Sequence, residues 1–275
     1  MPDRFEDGYG LNEQTIKKLK AKSSQLKLLI TVDNGIVANK AVNFAKKSGF
    51  DVIISDHHTK GRSLPRADAI IHTTEIGGAG IAWILARELA KKLQNPKSPK
   101  LQFNKLELAA IGTVADQLPL VGANRSIVKH GLDALRKTKR SGLLELYREA
   151  AIEGVDVNTY HIGFIIAPRI NAMGRLAHGI DSLRLLCTRD SGRAKKLALV
   201  VGNTNKARQD VVDQVINRVI RETHGKDFKG AIIVAHESYH EGVIGLAASK
   251  LVEKYYRPSI VLSKGKKFSK ASGRS

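Results

Sequence analysis

Carboxylate and imidazole side chains follow three apolar runs of this sequence, in positions where they could together bind a divalent metal ion. The five residues are Asp33, Asp56, His57, His58 and Asp116. Carboxylate oxygens mixed with imidazole nitrogens suit hard or borderline divalent metals. A single aspartate after a strand is more often a turn residue or a helix cap, and Asp33-Asn34-Gly35 is a good turn sequence. The recurrence at three run ends, together with the adjacent pair His57-His58, favours the metal site.

The elements expected to position these residues are parallel β-strands. Residues 28–32, 52–55 and 109–115 have the length and the apolar content of buried strands. The apolar residues of segment 36–49 recur at helical spacing, so it joins the first two strands into a βαβ unit with parallel, neighbouring strands. Open parallel sheets bind ligands beyond the carboxyl ends of their strands. The metal-binding side chains are therefore expected to converge at one edge of the sheet.

The rest of the chain reads as helices followed by a second α/β pattern. Glycines at 77, 78 and 80 open a helix over 81–93, and close helix packing is a better explanation for them than anion binding. Further helices are predicted at 127–135, 142–151, 181–187, 192–201 and 205–223. A strand at 231–235, a helix at 243–255 and a strand at 259–262 form a second βαβ unit. The predicted fold class is α/β, with a parallel-sheet domain in 1–125, a helical connector in 126–222 and an incomplete second α/β domain in 223–275.

The composition favours a polyanionic partner. Lysine and arginine total 46 against 26 acidic residues, which gives a formal net charge of +20, more than an enzyme of small anionic metabolites needs. A solvated, lysine-rich surface is the alternative explanation. Aromatic residues make up 5% of the chain, so contact with a nucleic-acid backbone is expected to dominate over base stacking. The single Cys187 argues against a disulfide scaffold, and with no apolar run near twenty residues we expect a cytoplasmic protein without a membrane contact.

Several motifs together resemble one known family. The tripeptide Asp56-His57-His58, preceded by 32–35 and followed by 112–116, is similar to the defining motifs of the DHH phosphoesterase superfamily. Other segments resemble RecJ-type single-strand-specific exonucleases and their DHHA1 domain: 2–11, 167–176, 205–209, 240–245 and 272–275. The resemblance covers essentially the whole chain in order.

This resemblance implies a metal-dependent exonuclease that hydrolyses single-stranded DNA, 5′ to 3′, in recombination and repair. It implies two Mn²⁺ or Mg²⁺ ions, with Asp33 bridging them and with His57 and Asp116 completing one coordination shell. It also implies that His58 meets the scissile phosphate and that Asp56 orients the imidazoles. Two ions held in this way would activate a water and neutralise charge on the phosphoryl oxygens.

The resemblance further implies a set of residues that contact single-stranded DNA in a channel between two lobes. Arginine recurs among them because its guanidinium can contact phosphate with two parallel hydrogen bonds. The set comprises Arg4, Arg169, Asn171, Arg175, His240, Ser272, Gly273 and Arg274. A single-strand-binding protein or a helicase would be the protein partner.

The sequence departs from the family in one respect. Family members begin the catalytic domain with an Asp-x-Asp-Gly motif that supplies two further metal-binding carboxylates, and this sequence contains no such motif. We therefore expect a partial sequence, cut at both ends, that binds at most one metal weakly and is inactive alone. Two alternatives stay open. A DHH phosphodiesterase of short oligonucleotides or cyclic dinucleotides would share the metal residues but not segment 168–175. A non-catalytic DNA-binding relative would not explain the intact metal residues.

Overall fold

The computed structural model describes Gly8 and residues 10–23, 25–93, 105–223, 230–266 and 268–275. The chain divides into two compact units. One comprises Met1–Pro168 with Leu185–Lys195, and the other comprises Arg169–Arg184 with Lys196–Ser275. The predicted mixed α/β fold with a parallel sheet is confirmed.

The first unit is built on a three-stranded parallel sheet. Its strands are β1 (Leu28–Val32), β2 (Asp51–Asp56) and β3 (Ala69–His72), in the order β1-β2-β3. Helix α1 (Glu13–Lys22) precedes β1, and α2 (Asn39–Lys47) connects β1 to β2. The predicted βαβ unit is therefore present. The third strand was not predicted, because four residues are too few to show a period of two.

One face of this sheet is buried against α1 and α2. Side chains alternate along β2, so Val52 and Ile54 both point to this face and are fully buried. They pack with Ile16 of α1 and Val42 of α2. Burying one such side chain contributes roughly 1.5–3 kcal/mol, so this layer fixes the positions at which β1 and β2 end.

The apolar run that precedes Asp116 is a helix, and the prediction of a strand there was wrong. Helix α3 (Gly78–Lys92) is followed by α4 (Leu106–Ala115), which contains the run. Thr113 donates its hydroxyl hydrogen to the Ala109 carbonyl oxygen at 2.8 Å, four residues earlier, as a helix allows. A short buried helix and a buried strand have the same apolar content, so periodicity does not separate them. Asp116 is therefore presented by the end of a helix.

The helices described between α4 and the second sheet are mostly amphipathic. They are α5 (Gly122–Arg136), α6 (Ser141–Glu149), a π-helical turn (His161–Ile166), α7 (Ala167–Leu176), α8 (Ile180–Cys187) and α9 (Ser191–Thr223). Two separate helices were predicted within the range of α9, but it is one helix of 33 residues. Thr204, near the predicted break, donates its hydroxyl hydrogen to the Val200 carbonyl oxygen at 2.8 Å and so stays inside the helix. No helix in the described ranges is both long and apolar enough to cross a lipid bilayer.

The second unit contains a three-stranded mixed sheet. Strands β4 (Ile232–His236) and β5 (Ser259–Ser263) are parallel and are connected by α10 (Ile244–Tyr255), which is the predicted second βαβ unit. A further strand, β6 (Lys270–Arg274), pairs antiparallel with β5 and was not predicted. Buried residues of α10 and the sheet pack with Val212, Val215 and Val219 of α9.

Candidate metal centre and phosphate site

Three potential metal ligands converge beyond the carboxyl end of the parallel sheet. Asp33 follows β1, His57 follows β2, and Asp116 caps the C-terminus of α4. Nε2 of His57 lies 3.1 Å from Oδ1 of Asp33 and 3.4 Å from Oδ2 of Asp116. The imidazole is mostly buried, whereas about half of each carboxyl group is exposed. One imidazole nitrogen thus faces two accessible carboxylates, each at a distance of 3.1–3.4 Å.

A fourth group, the imidazole of His58, borders the same space. Ligand atoms of Asp33, His57 and His58 all lie within 4.8 Å of one another. The His58 side chain is about half exposed, and its ring centroid lies 4.7 Å from that of His57. His58 can therefore reach a molecule that approaches the two carboxylates from solvent.

The carboxyl group of Asp56 forms hydrogen bonds with both histidines. Its side chain is buried, with 1% of the residue surface exposed. Oδ1 accepts hydrogen bonds from the backbone N–H groups of His57 at 2.8 Å and His58 at 3.2 Å, and it lies 2.7 Å from Nδ1 of His58. Oδ2 accepts a hydrogen bond from the backbone N–H of Ile36 at 2.9 Å. Because a carboxylate accepts, Nδ1 of His58 carries the hydrogen, and Nε2 of His58 is left for other partners.

The surroundings of the site lower the pKa of Asp56 and raise the pKa values of His58 and Asp33. Burial alone would raise the pKa of Asp56, but the hydrogen bonds from His58 and from backbone N–H groups outweigh it and lower that pKa. The hydrogen bond to Asp56 raises the pKa of His58. Desolvation raises the pKa of Asp33, His57 partly offsets this, and the Asp116 carboxylate raises it further. Two carboxylates that share a desolvated space repel each other, and a cation between them would relieve that repulsion.

The backbone around Asp33 is adapted to bring its carboxylate to this place. Asp33 has a φ of +61°, a left-handed conformation that costs on the order of 1 kcal/mol or more outside glycine. Gly78, the first residue of α3, packs directly on it. A Cβ atom at position 78 would lie 2.6 Å from the Asp33 Cβ and closer still to the carboxylate. Gly78, predicted to serve helix packing, therefore also lies directly against a candidate metal ligand.

The donor set fits a hard or borderline divalent ion. Two carboxylates and one or two imidazoles are ligands that Mn²⁺ and Mg²⁺ accept, with imidazole favouring Mn²⁺. The left-handed backbone at Asp33 and the missing side chain at Gly78 together allow the Asp33 carboxylate to lie where it faces His57. The residues that would hold an ion are Asp33, His57 and Asp116, with His58 at the border.

A second group of predicted residues comes together within the other unit, at the first turn of α10. Nη1 of Arg274 lies 3.2 Å from the Ser272 hydroxyl, both on β6. A Cβ atom added to Gly245 would lie 3.1 Å from that hydroxyl and 3.2 Å from Nη2 of Arg274. Guanidinium, hydroxyl and a helix N-terminus in contact are a recurring arrangement for binding an anion such as phosphate.

Two more predicted residues contact Gly242, two residues before α10. Arg175 donates from Nη1 to the Gly242 carbonyl oxygen at 3.4 Å, and His240 accepts at Nδ1 from the Gly242 N–H at 3.1 Å. A side chain at Gly242 would overlap the Arg175 carbonyl oxygen, so this glycine permits the close approach. Arg169 and Asn171, which lie earlier on α7, take no part in these contacts. Gly273 is an exposed residue of β6. Arg4 lies outside the described residues.

Comparison with known proteins agrees with the geometry. The profile of the DHH family, N-terminal domain, matches residues 1–113. The chain is 40% identical to the single-stranded-DNA-specific exonuclease RecJ of Bacillus subtilis, over all of this chain and 35% of that protein. It is 32% identical to the protein of the same name from Escherichia coli, over all of this chain and 51% of that protein. The chain thus spans about a third to a half of the length of these relatives.

Solved structures extend the likeness to three dimensions. A crystal structure of exonuclease RecJ bound to manganese superposes with a TM-score of 0.84 at 32% identity, covering all of this chain and 69% of that chain. The structure of Thermus thermophilus RecJ in complex with Mn²⁺ gives a TM-score of 0.83 at 31% identity, covering 96% of this chain and 39% of that chain. Sequence and fold agree over the whole length of this chain, which therefore belongs to the RecJ family of the DHH superfamily.

Proposed function

We propose that this chain provides the catalytic and DNA-binding residues of a metal-dependent exonuclease that hydrolyses single-stranded DNA from the 5′ end. The observation that carries the proposal is the position of Nε2 of His57, 3.1 Å from one carboxylate and 3.4 Å from another. Relatives at 32–40% identity are named single-stranded-DNA-specific exonucleases. We place the biological role in recombination and repair.

In this proposal Asp33, His57 and Asp116 hold a divalent ion, Mn²⁺ or Mg²⁺. When bound, such an ion lowers the pKa of a coordinated water and neutralises charge on phosphoryl oxygens. Asp56 keeps both histidine backbones and the His58 ring in one orientation through the hydrogen bonds described above. His58, with Nδ1–H engaged by Asp56, directs its remaining nitrogen to the scissile phosphate. A raised pKa favours the cationic form of His58, which suits contact with an anion.

The second unit would contribute phosphate binding. Arg274, Ser272 and the first turn of α10 supply donors in one place, and Arg175 contacts the carbonyl oxygen of Gly242, two residues before α10. All of these donors address phosphate oxygens, so binding is expected to be largely independent of base sequence. The net charge of +20 adds a long-range attraction for the polyanion.

The proposal is tested with oligonucleotides labelled at the 5′ or the 3′ end, single-stranded or duplex. Two proteins are assayed: the 275-residue chain, and the same chain preceded by a segment that carries the Asp-x-Asp-Gly motif of the family. Mn²⁺-dependent release of label from the 5′ end of single-stranded DNA by the extended chain is expected. Absence of metal-dependent cleavage by both proteins would contradict the proposal, and release from the 3′ end would contradict the polarity.

A separate prediction concerns the arginines. Replacing Arg169, Arg175 or Arg274 by alanine should weaken single-stranded DNA binding and leave Mn²⁺ binding unchanged. Each lost phosphate contact should flatten the slope of log affinity against log salt concentration by about 0.7. Lysine should restore the binding only in part, because a point charge cannot make the two-pronged contact. Fluorescence anisotropy titrations at several salt concentrations measure the slope.

Arg221→Ala is the matched control for this series. Arg221 lies in the same unit and is exposed, and its Nε donates to the Asn217 carbonyl oxygen within α9. The control should lower the affinity by less than any of the three. An unchanged salt slope in all three variants would mean that these arginines do not contact phosphate.

A further inference from the structure

We infer that His72 is a positioning residue of the proposed metal centre, one that holds the backbone of the His57-His58 pair. Nε2 of His72 lies 2.7 Å from the carbonyl oxygen of His58. A carbonyl oxygen can only accept a hydrogen bond, so Nε2 of His72 carries the hydrogen and the ring donates. This inference rests on the proposed function, because it concerns the ligands that the proposal assigns.

The position of His72 follows from strand pairing. In the parallel pair of β2 and β3, His72 is the partner of Asp56 in register, and both are the last residues of their strands. The chain leaves β2 at Asp56 and immediately forms the His57-His58 segment. A side chain at the end of the neighbouring strand is therefore within reach of the carbonyl groups of that segment.

The segment is consequently fixed from two sides. Asp56 accepts from the N–H groups of His57 and His58 and so holds the amide side of the segment. His72, at the end of β3, donates to the His58 carbonyl and so holds the carbonyl side of the segment. These hydrogen bonds engage the three consecutive peptide groups around His57 and His58, and so restrict the rotation of the backbone that carries both imidazoles. Without His72, the carbonyl of His58 would have to be satisfied by water.

His72 is not a member of the ligand group itself. Among the described residues, the potential ligands at this place are Asp33, His57 and Asp116, with His58 at the border. The role assigned to His72 thus resembles that of residues which orient the ligands of metal sites through hydrogen bonds. Loss of such a residue typically reduces metal affinity by about 10- to 100-fold.

The experiment compares Mn²⁺ binding by the full chain and by two variants, with free Mn²⁺ measured by electron paramagnetic resonance. His72→Phe keeps a ring of similar shape but removes the donor, and it should weaken Mn²⁺ binding by about 10- to 100-fold. His72→Gln restores an N–H donor and should recover most of the affinity. His130→Phe is the control, because His130 is an exposed histidine of α5 in the same unit. Thermal melting of each protein verifies that it is folded.

A second measurement does not depend on metal. Long-range ¹H–¹⁵N spectra of the histidine rings should show His72 protonated at Nε2 in the unmodified chain, and the His58 signals should change in His72→Phe but not in His130→Phe. Equal Mn²⁺ affinity of His72→Phe and the unmodified chain would overturn the inference while the proposed metal centre stands. Equal loss in His72→Phe and His72→Gln would overturn it too, because an N–H donor at position 72 would then not restore the affinity. Absence of Mn²⁺ binding by the unmodified chain, also when it is preceded by the Asp-x-Asp-Gly segment, would overturn both.

Discussion

Replacing Asp33 by asparagine should abolish Mn²⁺ binding by this chain and Mn²⁺-dependent hydrolysis by its Asp-x-Asp-Gly-extended form. Asp33 supplies one of the two carboxylates that face Nε2 of His57, at 3.1 Å. A bridging carboxylate fixes the separation of two metal ions, and a neutral amide has neither the charge nor the two equivalent oxygens for that task. His57→Ala and Asp116→Ala should have the same effect, because each removes a ligand from the same space.

Asparagine is the informative substitution because of the backbone at this position. Asp33 adopts a φ of +61°, and asparagine tolerates the left-handed region better than alanine does. A loss of binding in Asp33→Asn is therefore due to the lost charge and not to backbone strain. Asp133→Ala serves as the control, since Asp133 is exposed and pairs with Arg136 on the surface of α5. Near-normal turnover of Asp33→Asn would refute the assignment of a two-metal site.

The second large effect is expected from a single methyl group at Gly78. Gly78→Ala should weaken Mn²⁺ binding on the order of 10- to 100-fold, as the loss of other residues that support metal ligands does. The added carbon would lie 2.6 Å from the Asp33 Cβ, so the Asp33 side chain or the first turn of α3 must move. A movement of about 1 Å at a reacting group can reduce a catalytic rate by about 100-fold. Hydrolysis by the Asp-x-Asp-Gly-extended chain and calorimetric titration with Mn²⁺ measure the two effects.

Gly163→Ala is a suitable comparison for Gly78→Ala. A Cβ atom at position 163 would meet Val114 at 3.9 Å, which is an ordinary packing distance. This substitution within the helical segment 161–176 should leave Mn²⁺ binding unchanged, and less backbone entropy would be lost on folding. If Gly78→Ala bound Mn²⁺ as well as Gly163→Ala does, the contact between Gly78 and Asp33 would have no role in positioning the ligand.

Local sequence patterns were sufficient to predict the strands that carry the first part of the proposed metal site. The runs 28–32 and 52–55 are apolar and β-branched, and the segment between them has helical spacing, so a parallel βαβ unit was predictable. The handedness and connection rules of such units then place Asp33 and the Asp56-His57-His58 tripeptide at one edge. The structure has these strands as neighbours in register, with Val32 paired to Ser55.

The apolar composition of segment 109–115 does not show whether Asp116 follows a strand or a helix. A buried element is apolar all round whether it is a strand or a helix, and the segment before Asp116 is a buried helix. Its helical state follows from packing against α3, where Gly112 leaves room for the Cβ atom of Ala79. The position of Asp116 was thus predictable from the motif, but the element that carries it was not.

Residue types and strand ends were enough to predict which side chains could bind a metal ion, and that two of the three segments end at the same sheet edge. The contacts that hold these side chains in place follow only from the packing of segments distant in sequence. Gly78 touches Asp33 across 45 residues of chain, and His72 reaches the His58 carbonyl across 14, from a strand of four residues. Neither contact leaves a periodic signal, because each depends on the distance between two elements and not on the residues next to it in sequence. Spacing along the chain reveals faces and strand ends, whereas close approach between elements is a property of the packed fold.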